Sequence, residues 1–319
     1  MKRLLAAIFA AWIMVPAPSA AAEPACLRDC AFMAPLATQA PLVAAARAGR
    51  RIVAVGDYGV ILLSDDDGTT WRQARNVPMT NLITDVVFRD ERTGWATGHG
   101  GTVLVTEDGG EHWRQAYRAD PDIVPMSVAF DPTGVGMVVG AYGFALRTTD
   151  GGKTWNKALL DGGDIADRHL NHVFTFGPGA FIVAAESGAI FRTVDGGLSW
   201  TFQELPIKGS LWYGTALSDG SLMVSGMGGR LFRSDDRGVS WREVASGTGE
   251  SITGIVQLPS GALALVGLGG TVLVSGEDGR GFRAVPRPDR ATYAAALPVA
   301  KDNLLLFGSG GLAKAALSK

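Results

Sequence analysis

The chain has little of what most chemistries require. There are two cysteines and four histidines in 319 residues. Both cysteines, Cys26 and Cys30, fall in one short segment that supplies no further ligands, so a metal centre there is not expected. Neither sign of charge dominates: 29 Lys and Arg stand against 31 Asp and Glu, which gives no electrostatic case for nucleic acid or an anionic membrane as partner. A Gly-x-Ser-x-Gly nucleophile elbow, a phosphate-cradling loop and a Cys/His nucleophile motif are all absent. After the first apolar run, no stretch resembles a transmembrane helix, and no helical periodicity interrupts the rest.

That first run has a processing signature. Met1-Lys2-Arg3 is basic, Leu4 to Val15 is apolar but too short for a permanent anchor, and Ala20-Ala21-Ala22 offers a small-residue cleavage site. A signal peptide over residues 1–22 is expected. It is followed by an N-terminal segment, 23–40, and one domain, 41–319. Export would carry the chain to a periplasm, or to a thylakoid lumen in a photosynthetic organism. In such a compartment a Cys26–Cys30 disulfide is the expected state.

The dominant feature is a repeat. Ser64 to Trp71 reads SDDDGTTW, and TEDGGEHW, TTDGGKTW, TVDGGLSW and SDDRGVSW follow, ending at Trp113, Trp155, Trp200 and Trp241. A worn sixth copy, SGEDGRGF, ends at Phe282. The third-position acids, Asp66, Asp108, Asp150, Asp195, Asp236 and Glu277, are spaced 42, 42, 45, 41 and 41 residues apart. A period in that range marks an array of supersecondary units. Each copy is preceded by two short apolar strands around a glycine-flanked turn, as in Ile52 to Val55, Gly56 to Gly59 and Val60 to Leu63. A further apolar strand lies upstream and a short polar strand follows each Trp.

The unit is therefore four antiparallel strands, and the fold expected is all-β: a seven-bladed β-propeller. The seventh copy ends before an outer strand. The segment around Ala31 to Thr38 is expected to supply that strand and close the ring.

Within the repeated turn the Asp carboxylate can accept backbone N–H groups of its own turn, the Gly tolerates a left-handed backbone, and the Trp can fill the wedge between blades. Asp66, Asp108, Asp150, Asp195 and Asp236, with their tryptophans, are thus structural. The run Asp65-Asp66-Asp67 would suit Ca²⁺, but the other copies keep one acid at the fixed position, so no metal is expected.

This turn is the Asp-box. The fuller pattern, Gly-x-x-Gly, an apolar strand, then Ser/Thr-x-Asp-x-Gly-x-Ser/Thr-Trp, is similar to the photosystem II stability and assembly factor family of plants and cyanobacteria. The resemblance covers about residues 41–315 and implies an exported, non-enzymatic, protein-binding propeller without a cofactor. The implied partner is a photosystem II reaction-centre protein or, in a heterotroph, a membrane transporter, bound by a monomer. His112 in the second turn, and Glu277, Gly281 and Phe282 in the sixth, depart from the pattern.

Hairpin turns and inter-blade links should share one face, with the Asp-boxes opposite at the rim. Loops on a rigid scaffold usually carry binding. The candidates on that face are Tyr58, His99, Arg118, Tyr142, Arg168, Trp212 and Tyr213; the plain alternative is solvated loops. Arg147, Arg192 and Arg233 recur just before the box in three consecutive blades. They could form a basic patch for an acidic partner, or pair with the next blade. The alternative function is a glycan-active or carbohydrate-binding propeller. A sialidase would draw on Tyr58, Tyr142 or Tyr213 with Glu186 or Glu204, and a paired-carboxylate glycosidase on two of Asp57, Asp161, Asp164 and Glu186. No spacing selects a pair, and three arginines are not placed beside those tyrosines.

Overall fold

The computed structural model describes residues 30–160, 168–276, 281–300 and 303–317. It is an all-β propeller of seven antiparallel sheets. The inner strands are Leu42–Ala48, Ile83–Phe88, Pro125–Phe130, Leu170–Gly177, Leu211–Ala216, Ile252–Gln257 and Tyr293–Val299. Each inner strand lies against the next, and the first also lies against the seventh, which closes the ring.

The apolar runs explain this arrangement. In Ile52-Val53-Ala54-Val55, successive side chains point to opposite faces of the sheet. Ile52 and Ala54 pack with Leu305 and Phe307 of blade 7, while Val53 and Val55 pack with Ile83, Ala96 and Leu104 of blade 2. Seven such apolar layers fill the seven gaps between blades, and no single central core exists among the described residues. Strands buried on both faces read as continuous apolar runs rather than alternating ones.

Each of the first five Asp-box turns is seated on the preceding blade. Gly68 has φ +80°, and a Cβ there would lie 2.4 Å from the Leu305 side chain of blade 7. Trp71 meets Phe307 edge to face at 6.2 Å, and Trp155 meets Phe130 in the layer between blades 2 and 3. Asp66 accepts N–H bonds from Thr69 and Thr70 at 3.1 and 2.8 Å and hydroxyl bonds from Ser64 and Thr70. The Ser64 hydroxyl in turn accepts the Gly68 N–H at 2.8 Å, so the flanking hydroxyls tie the turn to itself rather than bonding across the hairpin. In the second box His112 takes the hydroxyl's role, its Nδ1 lying 2.8 Å from Asp108. The other two acids of the first turn are also engaged: Asp65 pairs with Arg51 and Arg72, and Asp67 with Arg47 and the Ala300 N–H of blade 7. Among the described residues no group of acids and histidines is arranged to hold a metal ion.

The N-terminal segment does not add the expected outer strand. The last sheet has three strands among the described residues, ending at Gly311–Ala316. Ala31 donates to the Val77 carbonyl, Ala34 and Phe32 bond Gln73, and a 3-10 turn at Ala37–Gln39 lies against the Gly311 strand. The Thr38 carbonyl stands 2.1 Å from where a Gly311 Cβ would be, as the Met79 carbonyl does for Gly59 in blade 1. Residues 30–40 thus take the place of the link that leads from blade 7 to blade 1. The proline at 35 and the polar turn that follows it oppose a strand there. Cys30 is disulfide-bonded; Cys26, its expected partner, and the expected signal peptide lie outside the described residues.

The inner strands also begin earlier than their apolar pattern suggests in blades 3, 4 and 5, because every inner strand carries a bulge at its second residue. A bulge breaks the two-residue alternation that sequence reading relies on.

Trp113 is buried and Trp71 only half-buried. Trp113→Ala should therefore cost about 3–5 kcal/mol and Trp71→Ala clearly less. Guanidinium melts of the two variants check this, and equal small losses would contradict the wedge role.

Candidate functional site

The face opposite the Asp-boxes is built by one hydrogen bond repeated seven times. The N–H of the first turn residue in each blade donates to the carbonyl just before the inner strand, as in Asp57 to Pro41 and Met227 to Ser210, at 2.9–3.0 Å. The approach is so close that a Cβ at Gly56 would sit 2.0 Å from the Pro41 oxygen. This bond fixes each turn beside the mouth of the central channel.

The turns carry exposed side chains. Tyr58 and Tyr142 are each 66% exposed, and both sit in left-handed backbone, φ 57° and 53°. Glycine occupies the same place in blades 5 and 6, at Gly228 and Gly269. A bulky residue in that region carries strain of about 1–2 kcal/mol. Neither tyrosine offsets it by burial, although Tyr142 contacts the His169 ring at 4.8 Å. His99 and Arg118 are also exposed on this face. Arg168 is held: it pairs with Glu204 at 2.6 Å and lies over the Phe202 ring. Glu186 accepts the His169 N–H, and Asp57 accepts the Tyr58 N–H. Asp161 and Asp164 lie outside the described residues.

The three recurrent arginines belong to the opposite rim. Arg147 donates to the Gly196 carbonyl and Arg192 to the Arg237 carbonyl, each inside the next blade's box, while Arg233 pairs with Asp219 and Asp235 of its own blade. Two of the three thus grip the neighbouring blade, through backbone carbonyls.

Trp212 and Tyr213 do not reach the outer face; they line the central channel, a cavity of about 690 Å³. Trp212 is the bulge residue of its strand. The equivalent Thr84, Asn171 and Thr253 donate to the Pro125, Leu211 and Tyr293 carbonyls, stitching blades 2 to 3, 4 to 5 and 6 to 7. One residue further along stand Asp85, Ser127, His172 and Tyr213 in four consecutive blades. Asp85 accepts the Val86 N–H, the Ser127 hydroxyl and the Val128 N–H at 2.8–3.0 Å, and the His172 and Tyr213 rings lie 4.3 Å apart. Burial pushes the Asp85 carboxyl up to about 6 against those bonds, holds His172 down at about 4, and with the Asp85 charge pushes Tyr213 up to about 12. Sequence reading missed Asp85 and Ser127. The available signal was a carboxylate inside the otherwise apolar strand Ile83–Phe88.

These features define an Asp-box propeller with an aromatic turn face and a polar channel. The chain belongs to the photosynthesis system II assembly factor YCF48 family, whose model matches residues 73–280. No curated protein matches it. Among solved structures it is similar to YCF48 from Cyanidioschyzon merolae, at 22% identity and TM-score 0.54, covering 73% of this chain and 84% of that one. A structure of YCF48 bound to D1 peptide aligns at 21% identity and TM-score 0.44, covering 74% and 93%. An ancestral GH74 enzyme aligns at 11% identity and TM-score 0.68, covering 88% and 45%. At these identities the likeness to structures is one of fold.

Asp85 and Asp66 should act oppositely on stability. The folded pKa of Asp85, about 6, lies above an ordinary unfolded value of roughly 4, so its contribution is full below that value and is lost as pH rises through 6. Asp66, held down to about 2 chiefly by the Thr70 hydroxyl, contributes above roughly 4 and loses its contribution as pH falls toward 2. The melting temperature of Asp85→Asn minus that of the unmodified protein should therefore grow between about pH 4.5 and 7. A flat difference would place the carboxyl in ordinary solvent.

Proposed function

We propose that this protein is a non-catalytic, exported scaffold that binds a subunit of a membrane or envelope complex through its turn face. That subunit is a photosystem II reaction-centre protein in a photosynthetic host or a membrane transporter elsewhere. The observation that carries this reading is the pair of exposed tyrosines, Tyr58 and Tyr142, held in left-handed backbone at a turn position where blades 4, 5 and 6 have Ser187, Gly228 and Gly269. At Tyr58 and Tyr142 that strain comes with an exposed aromatic side chain, whereas at Asp67 and Arg237 it falls in the Asp-box turns of the rim. Exposed aromatic side chains on rigid turns are characteristic anchors for protein partners. Family membership supports the same reading, because the family is described by an assembly role. No helix among the described residues is long and apolar enough to cross a membrane, which is compatible with a protein acting beside one. The protein is taken to work as a monomer, and His99 and Arg118 flank the anchors.

The double variant Tyr58→Gly, Tyr142→Gly tests the proposal. It should melt no lower than the unmodified protein, with a gain of about 1 kcal/mol or less, because glycine relieves the strain at some entropic cost. It should also recover markedly less partner from detergent-solubilised membranes in an affinity pull-down. Unchanged recovery would remove the turn face from binding. Turnover of a sialoside or glucan by the purified protein, with no protein recovered, would favour the glycan-active alternative.

A further inference from the structure

We infer that the central channel is a binding site for a small organic cation, held by the Asp85 carboxylate beside the aromatic wall of Trp212 and Tyr213.

The channel is asymmetric at one level. Blades 2, 4 and 5 place Asp85, His172 and Tyr213 there, with Ser127 of blade 3 buried behind the wall and bonded to Asp85, while Gly254, Ala295 and Ala44 of blades 6, 7 and 1 leave the opposite side open. The open volume, about 690 Å³, is in the range of small-molecule sites. Among the described lining residues Asp85, His172 and Tyr213 are the titratable groups, and no lysine or arginine is present to neutralise the carboxylate. The three hydrogen bonds to Asp85 come from two backbone N–H groups and a hydroxyl, all neutral. A carboxylate partly withdrawn from water without a counter-charge attracts a cation more strongly than an exposed one does.

One further observation points to a ligand: Trp212 and Tyr213 line the same channel as Asp85, and aromatic side chains favour an alkylammonium over a hydrated metal ion. Burial keeps His172 uncharged, so it does not compete for the carboxylate. This site is independent of the turn face, since Tyr58 and Tyr142 take no part in it.

Titration calorimetry of the purified protein with choline, ethanolamine and putrescine tests the inference. The neutral isostere of choline, 3,3-dimethylbutan-1-ol, is the control. At least one cation should bind with one-to-one stoichiometry at about pH 7.5, and about tenfold or more tighter than the isostere. Binding should weaken about tenfold at pH 5, where most of the Asp85 carboxyl is protonated. Asp85→Asn should weaken it about tenfold or more at pH 7.5. Should that variant not fold, the pH titration of the unmodified protein decides instead. Absence of heat with all three cations at millimolar concentration, equal binding of the isostere, or affinity unaffected by both Asp85→Asn and pH would overturn the assignment.

Discussion

Every blade of this protein is apolar on both faces, and the architecture follows from that constraint. A sheet with one apolar face can end at solvent on the other. A sheet whose side chains alternate between Ile52 and Ala54 on one side and Val53 and Val55 on the other needs a neighbour on each. A row of such sheets has no natural end, so closing it into a ring buries the last two faces without a cap. Leu304 and Leu306 of the seventh blade face the sixth, while Leu305 and Phe307 face the first. Closure therefore rests on apolar layering and on the contact of inner strands. A strand exchanged between the ends of the chain is not required among the described residues, and residues 30–40 serve as the missing link instead.

Radial packing brings a difficulty that the Asp-boxes resolve. Flat sheets arranged around an axis meet at the centre and diverge at the rim. The rim gap must be filled by something large that is anchored at one end. A tryptophan at the end of a self-bonded turn meets both needs, and the positive-φ glycine lets the turn lie directly on the preceding blade. Arg147 and Arg192 reach from the other direction to carbonyls in the next blade's turn. In the first blade the extra acids of the Asp65-Asp66-Asp67 run are part of the same fastening, because Asp67 bonds Arg47 and the Ala300 N–H across the closure. What resembled a calcium ligand set is a seam.

The fold was legible in the sequence because its signals are local. The box, the glycine turn and the apolar pair recur within a window of about 20 residues, as from Ile52 to Trp71, and each has its chemistry inside that window. The hold of the arginines on the next blade was one of two readings open in the sequence, but their carbonyl partners, 45 and 49 positions away, were not legible. The inner-strand bulges hid the channel. Asn171 and His172, or Trp212 and Tyr213, look like ordinary neighbours in a strand, yet the first of each pair is a bulge residue and both line the channel. Tyr58 and Tyr142 were placed correctly on the turn face, but their left-handed backbone has no signature when the residue is not glycine.

In a repeat this regular, the departures carry the information about role. A scaffold built only for stability would keep glycine at the turn position where Tyr58 and Tyr142 stand, and would fill the channel level with small apolar side chains as blades 6, 7 and 1 do. Four consecutive blades instead hold polar groups there, one a carboxylate whose ionisation burial opposes. Neither departure strengthens a layer between blades. Both are confined to the turn face and the channel, and the Asp-box rim opposite keeps its staples intact through the second to fifth blades, even where His112 replaces a hydroxyl. A rim of self-bonded turns that holds a varied face and channel is the arrangement a binding scaffold requires.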